Sequence, residues 1–143
     1  MITNEKITVA ISIISLLISV ATLIVTKINS SKIEKIYYGQ TELSIRDIII
    51  SAKNKVANAI QDANQNPQKD QLVKFSIEEL LNSYEEACAK YIDKKIDTKR
   101  FKKMYSDEIK NLVECEELKK YFQFGSKYEA IKKVYNDWFN LEK

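Results

Sequence analysis

The sequence contains no histidine, one proline and two glycines among its 143 residues. Without histidine, the chain lacks the commonest general base and the commonest metal ligand of proteins. With so few glycines and prolines, it also lacks the tight turns that a β-sandwich or barrel requires. Lysine, glutamate, isoleucine, leucine and alanine are abundant instead, and they favour helices joined by short loops. We therefore expect an all-α protein.

Cysteine is also scarce, with Cys88 and Cys115 as the two representatives. They form neither a C-x-x-C pair nor a Cys/His cluster, so we expect no metal and favour free thiols over a disulfide. No nucleophile, base and orienting group can be identified, so we expect neither an enzyme nor a cofactor. The net charge of +3 is too small to indicate nucleic acid as a partner.

A long apolar run, "ITVAISIISLLISVATLIVT", occupies residues 7–26 without a single charge. As a helix, it is long enough to cross about 30 Å of hydrocarbon. A cleaved signal peptide has a shorter core and a small-residue cleavage site, whereas this run leads into "KINSSKIEK". We predict a short extracytosolic tip (1–6), a transmembrane helix (7–26), a juxtamembrane segment (27–40) and a helical cytosolic domain (41–143). The orientation follows from Lys27, Lys32 and Lys35, which come directly after the span.

Every serine and threonine of this run falls on one helical seam, with steps of 4, 3, 4, 3 and 4 residues. The six hydroxyl residues are Thr8, Ser12, Ser15, Ser19, Thr22 and Thr26. Small side chains let two backbones approach closely, and their hydroxyls can bond across the contact. The seam predicts a helix-packing face, for self-association or for a membrane protein partner. The alternative is that the hydroxyls line a small oligomeric pore.

A second seam follows the first in a different phase. Continuing the hydroxyl seam gives Ile33, Ile36 and Leu43, but also the polar residues Asn29, Gln40 and Asp47. The new seam consists of Ile45, Ile49, Ala52, Val56, Ala59 and Ala63. We therefore expect a kink or break near Gly39 and a fresh helix from about Thr41. A hairpin within the same domain is favoured over an intermolecular coiled coil.

About four helices are expected in the domain, arranged up and down. The stretch "YIDKKIDTKRFKKMY" (91–105) resembles the second half of an EF-hand loop. Its ligand positions, however, hold Ala89, Tyr91 and Arg100, so we predict a plain helix–turn–helix corner capped by Asp97 or Thr98.

The helix after this corner carries the basic run Lys99, Arg100, Lys102 and Lys103. We interpret this run as a solvated face, with Phe101 and Met104 turned inward. "VECEELKKYF" is expected to continue that helix after a bend.

A capping box of Ser126 and Glu129 is expected to open the last helix. The aromatic residues of that helix are predicted to belong to the core, although Tyr135, Trp138 and Phe139 could form a docking patch.

Residues 84–105, "YEEACAKYIDKKIDTKRFKKMY", resemble a stretch of small bacterial membrane-anchored proteins of uncharacterised function. The resemblance implies a helical cytosolic domain behind one anchor, and no activity. The leading hypothesis is a bitopic interaction protein in the bacterial inner membrane, which oligomerises or recruits a partner. The alternative is an oligomeric membrane-perturbing or pore-forming effector, such as a defence or toxin component.

Overall fold

The structure, a computed structural model, describes residues 4–65 and 69–140, with side chains over 11–63 and 69–140. Four α-helices are present in these ranges: α1 (Asn4–Gln65), α2 (Asp70–Ile92), α3 (Thr98–Glu114) and α4 (Glu129–Phe139). A 3₁₀ helix (Glu116–Tyr121) lies between α3 and α4. No strand occurs in the described ranges, so the expected all-α class is confirmed.

Helix α1 runs through Gly39 without a break, so the expected start of a fresh helix near Thr41 is wrong. A glycine inside a helix costs about 1 kcal/mol relative to alanine, which is too little by itself to end a long helix. The phase change between the two seams therefore does not mark a helix end.

The chain divides into two compact units, Met1–Tyr37 and Tyr38–Lys143. The first unit, where it is described, is a single helical stretch of α1 with exposed side chains. The second unit contains the remainder of α1 together with α2, α3, the 3₁₀ helix and α4. Its hydrophobic core draws on all four α-helices.

The core of the second unit includes the second seam of α1. Ile45, Ile49, Ala52 and Ala59 of this seam are buried, and Ile45 and Ile49 pack within the main cluster. This confirms that the seam packs inside its own domain. The cluster comprises Ile45, Ile49, Leu81, Tyr84, Ala87, Cys88, Ile96, Phe101, Tyr105, Ile109, Tyr128, Ile131, Val134 and Trp138.

The corner between α2 and α3 is a Schellman-type helix end. Lys94 has a φ of 55°, and the N–H of Lys95 donates to the carbonyl of Lys90 at 2.9 Å. Asp97 then caps α3 by accepting from the N–H groups of Lys99 and Arg100, both at 3.0 Å. The predicted helix–turn–helix corner with an Asp97 cap is confirmed.

Helix α3 buries Phe101, Tyr105 and Ile109, whereas Met104 is 49 % exposed. The expectation that Met104 turns inward is wrong, because the buried stripe of α3 follows steps of four residues and Met104 lies beside it. The α-helix ends at Glu114, where Cys115 is extended, and "EELKKY" forms the 3₁₀ helix.

Helix α4 begins at Glu129, so the predicted capping box of Ser126 and Glu129 is wrong. The Ser126 hydroxyl instead accepts from the N–H of Tyr128 at 3.1 Å and donates to the carbonyl of Tyr121. The N-terminal amides of α4 are capped from another helix, by the Glu85 carboxylate of α2.

Candidate membrane-association face

The N-terminal part of α1 presents large aliphatic side chains to its surroundings. Ile11, Leu16 and Leu23 are 58 %, 65 % and 71 % exposed. The helix contains an 18-residue window with a mean hydropathy of 2.3, long and apolar enough to cross a membrane. Burying each such side chain is worth roughly 1.5–3 kcal/mol, so this segment favours a nonpolar surrounding over water.

Two hydroxyls of this segment, those of Ser19 and Thr22, bond back to the helix itself. Ser19 Oγ donates to the carbonyl of Ser15 at 2.9 Å, and Thr22 Oγ1 donates to the carbonyl of Ile18 at 2.8 Å. These bonds follow the i to i−4 pattern of serine and threonine in helices. They reduce the cost of placing hydroxyls in hydrocarbon, since each proton already has an acceptor.

The structure describes the side chains of five of the six seam residues, because that of Thr8 lies outside the described range. Ser12, Ser15, Ser19, Thr22 and Thr26 all lie in unbroken helix and are exposed. Their sequence spacing therefore places them along one line of α1. A role for this line in packing or in a pore stays a prediction.

The aromatic residues of the predicted docking patch differ in how deeply they are buried. Trp138 is 6 % exposed, and its Nε1 donates to the Tyr91 hydroxyl at 3.0 Å. Tyr135 and Phe139 are half-buried, and Tyr135 donates to Glu114 Oε1 at 2.9 Å. This hydrogen bond raises the pKa of Tyr135. Trp138 is therefore built into the core, and a docking role for the other two residues stays a prediction.

The basic run lies on the exposed face of α3, with the buried Phe101 in its middle. Arg100 Nη1 donates to Glu42 Oε2 at 2.8 Å, and Lys102 lies 5.7 Å from the centre of the Trp138 ring. Two of its four cations therefore interact with groups of the same domain, which fits the predicted solvated face.

The EF-hand-like corner is organised without a metal ligand set. No group of three or more His, Cys, Asp or Glu residues that could hold a metal occurs in the part of the chain that the structure describes. Arg100, at the position of the last calcium ligand, pairs with Glu42, and Glu42 also accepts from the N–H of Asp97 at 3.2 Å. The pKa of Asp97 is lowered, mainly by the hydrogen bond from the N–H of Arg100.

Both cysteines are free thiols. Cys88 is fully buried, and burial raises its pKa well above the usual range. Cys115 is half-buried, and its Sγ donates to Glu117 Oε2 at 2.9 Å. A raised pKa makes Cys88 a poor nucleophile, and its side chain packs within the hydrophobic core.

Sequence reasoning missed two acidic residues that join helices. Glu108 of α3 accepts from Lys53 Nζ of α1 at 2.8 Å and from the hydroxyl of the buried Tyr84 of α2. Glu85 accepts from the N–H groups of Ala130 and Ile131 at 2.8 and 3.0 Å. Both residues belong to adjacent acid pairs in the sequence, and nothing in that pattern reveals which helix each carboxylate meets.

Comparison with protein-family models, with curated proteins and with solved structures finds no match to this chain. The resemblance of residues 84–105 to small bacterial membrane-anchored proteins stays a prediction. A functional hypothesis for this chain therefore rests on its own residues and geometry.

Proposed function

We propose that the chain is a bitopic membrane-anchored interaction protein that oligomerises, or recruits a partner, at the inner face of a bacterial membrane. The observation that carries this proposal is the exposed apolar stretch of α1, in which every hydroxyl with a described side chain lies on one line. An aliphatic helix with one stripe of small polar side chains favours close helix–helix packing in lipid.

The orientation rests on the lysines after the span. Lys27, Lys32 and Lys35 follow it, whereas one lysine and one glutamate precede it. Lysine is retained on the cytosolic side of a membrane helix, so the second unit lies in the cytosol. No group with the features of a catalytic centre enters this proposal, and the activity is association.

Substitutions on and off the seam test the proposal. Ser15→Ile together with Ser19→Ile adds bulk on the packing line and should weaken association in the membrane. Each interhelical hydrogen bond lost is worth about 0.6 kcal/mol, so the double substitution is the appropriate variant. Ile14→Ser changes a position off the line and serves as the matched control.

A two-hybrid assay that reports on membrane segments measures this association. Equal association of the unmodified chain, the double variant and Ile14→Ser would reject the seam as an interface. Ion leakage from liposomes examines the alternative function. Association that survives in the double variant while leakage falls would assign the hydroxyls to the lining of a pore.

A further inference from the structure

Helix α1 has two opposite faces in the second unit, and only one of them is covered by the domain core. Ile45, Ile49 and Ala52 are at most 3 % exposed on the covered face. On the opposite face, Leu43 and Ile50 are 60 % and 45 % exposed. We name this opposite face the outer face of α1. It consists of Gln40, Leu43, Asp47, Ile50, Asn54 and Ala57.

The outer face follows a heptad pattern. Leu43, Ile50 and Ala57 are seven residues apart, and Gln40, Asp47 and Asn54 form a second line with the same spacing. These two lines are the d and a positions of a coiled coil. Heptads in a straight helix drift by about 20° per repeat, and a left-handed supercoil removes the drift.

The same register extends towards the N-terminus in the sequence. Counting back by sevens from Leu43 gives Ile36, Asn29 and then the hydroxyl residues Thr22, Ser15 and Thr8. Counting back from Gln40 gives Ile33, Thr26, Ser19 and Ser12. In the sequence, all six hydroxyl residues therefore fall on the same heptad positions as the residues of the outer face.

We propose that the outer face of α1 binds the same face of a second copy of this chain, as a parallel, in-register, two-stranded coiled coil. The proposal rests on the proposed membrane function, because insertion in one direction makes two copies parallel and places equal residues at equal depth. A two-fold parallel pair brings each d residue against its own counterpart, so the apolar line meets itself. Asn54 at an a position is a residue that specifies register in such pairs.

The charge pattern makes this contact weak by itself. Asp47 occupies an a position, where the carboxylates of the two copies face each other. Arg46 lies beside the seam and offers a counter-charge to Asp47 of the second copy. Two copies held together by their spans have a high effective concentration, so a weak contact is enough. Asp47→Leu, which removes the repulsion, should increase association several-fold.

Cysteine crosslinking of the full chain in lipid vesicles tests the inference. The parent carries Cys115→Ser and keeps the buried Cys88. Leu43→Cys and Ile50→Cys place single thiols on the outer face. Ile48→Cys is the matched control, since Ile48 is 41 % exposed and lies about 200° around the helix from Ile50. Ser19→Cys reports separately on the span.

We expect several-fold more crosslinked dimer for Leu43→Cys and Ile50→Cys than for Ile48→Cys. Crosslinking at Ser19→Cys alone would overturn the inference and leave the membrane association intact. Crosslinking at positions 43 and 50 but not at 19 would support the outer face and reject the hydroxyl seam. Equal crosslinking at positions 48 and 50 reflects random collision and would overturn the inference, as would a dimer band in the parent alone.

Discussion

Glu85 of α2 caps the N-terminus of α4, with its carboxylate accepting a 3.0 Å hydrogen bond from the N–H of Ile131. A second bond of 2.8 Å comes from the N–H of Ala130. A carboxylate in this position satisfies two amides that have no partner within the helix, and it also opposes the positive end of the helix dipole. The cap joins two helices that are distant in sequence.

Glu85→Ala should therefore destabilise the second unit by about 1–3 kcal/mol, since two amides lose a charged acceptor. Glu86→Ala is the control, because Glu86 is exposed and pairs with Lys90 on the same helix. That pair is worth about 0.3–0.5 kcal/mol. Urea unfolding followed by fluorescence of the single tryptophan, Trp138, measures the difference. Equal unfolding midpoints for the two variants would contradict a capping role.

The thiols report on both topology and burial. In intact cells, an impermeant maleimide should label neither cysteine if the second unit is cytosolic. After permeabilisation, it should label Cys115 in the folded protein, because Cys88 is fully buried and has a raised pKa. Denaturation should expose both. Cys115→Ser is the control and should abolish labelling of the folded protein. Labelling of intact cells would overturn the orientation.

Calcium should leave the melting temperature of the full chain in detergent unchanged. The corner after α2 lacks the first, third and last oxygen ligands of an EF-hand, and Arg100 at the last position is paired with Glu42. A ligand at 100 times its Kd would stabilise the fold by about 2.7 kcal/mol. Melting in millimolar calcium and in chelator gives the comparison, and a rise with calcium would disprove our interpretation of the corner.

Local sequence patterns predicted the helices and most of their buried faces. The steps of 4 and 3 identified Ile45, Ile49 and Ala52 as buried, because a helix covered on one side must place apolar residues there. Asp97 was one of two caps predicted from the sequence, with Thr98 as the other, and the structure selects Asp97. The Glu85 cap was not predictable, because it depends on how α2 packs against α4 in three dimensions.

The surfaces proposed for association were likewise only partly predictable from the sequence. The hydroxyl line can be read from the sequence because its spacing is regular. The outer face could not, because the polar residues Gln40, Asp47 and Asn54 alternate with Leu43 and Ile50 along it, and a break near Gly39 was expected. The outer face can be recognised only from the structure. There, the residues concerned lie in one helix, and the core covers the opposite side of that helix.

The two glycines provide a matched test of the unbroken helix. A Cβ added at Gly39 or at Gly125 would meet no atom within 4 Å, so steric contact does not distinguish them. Gly125 has a φ of 79°, whereas Gly39 lies in regular helix. Gly39→Ala should stabilise the second unit by about 0.5–1 kcal/mol, because alanine loses less backbone entropy in a helix.

Gly125→Ala should have the opposite effect and destabilise it by about 1–2 kcal/mol, because L-residues are strained at this positive φ. Urea unfolding followed by Trp138 fluorescence measures both variants. A loss of stability in Gly39→Ala would mean that α1 bends at this residue in the folded protein.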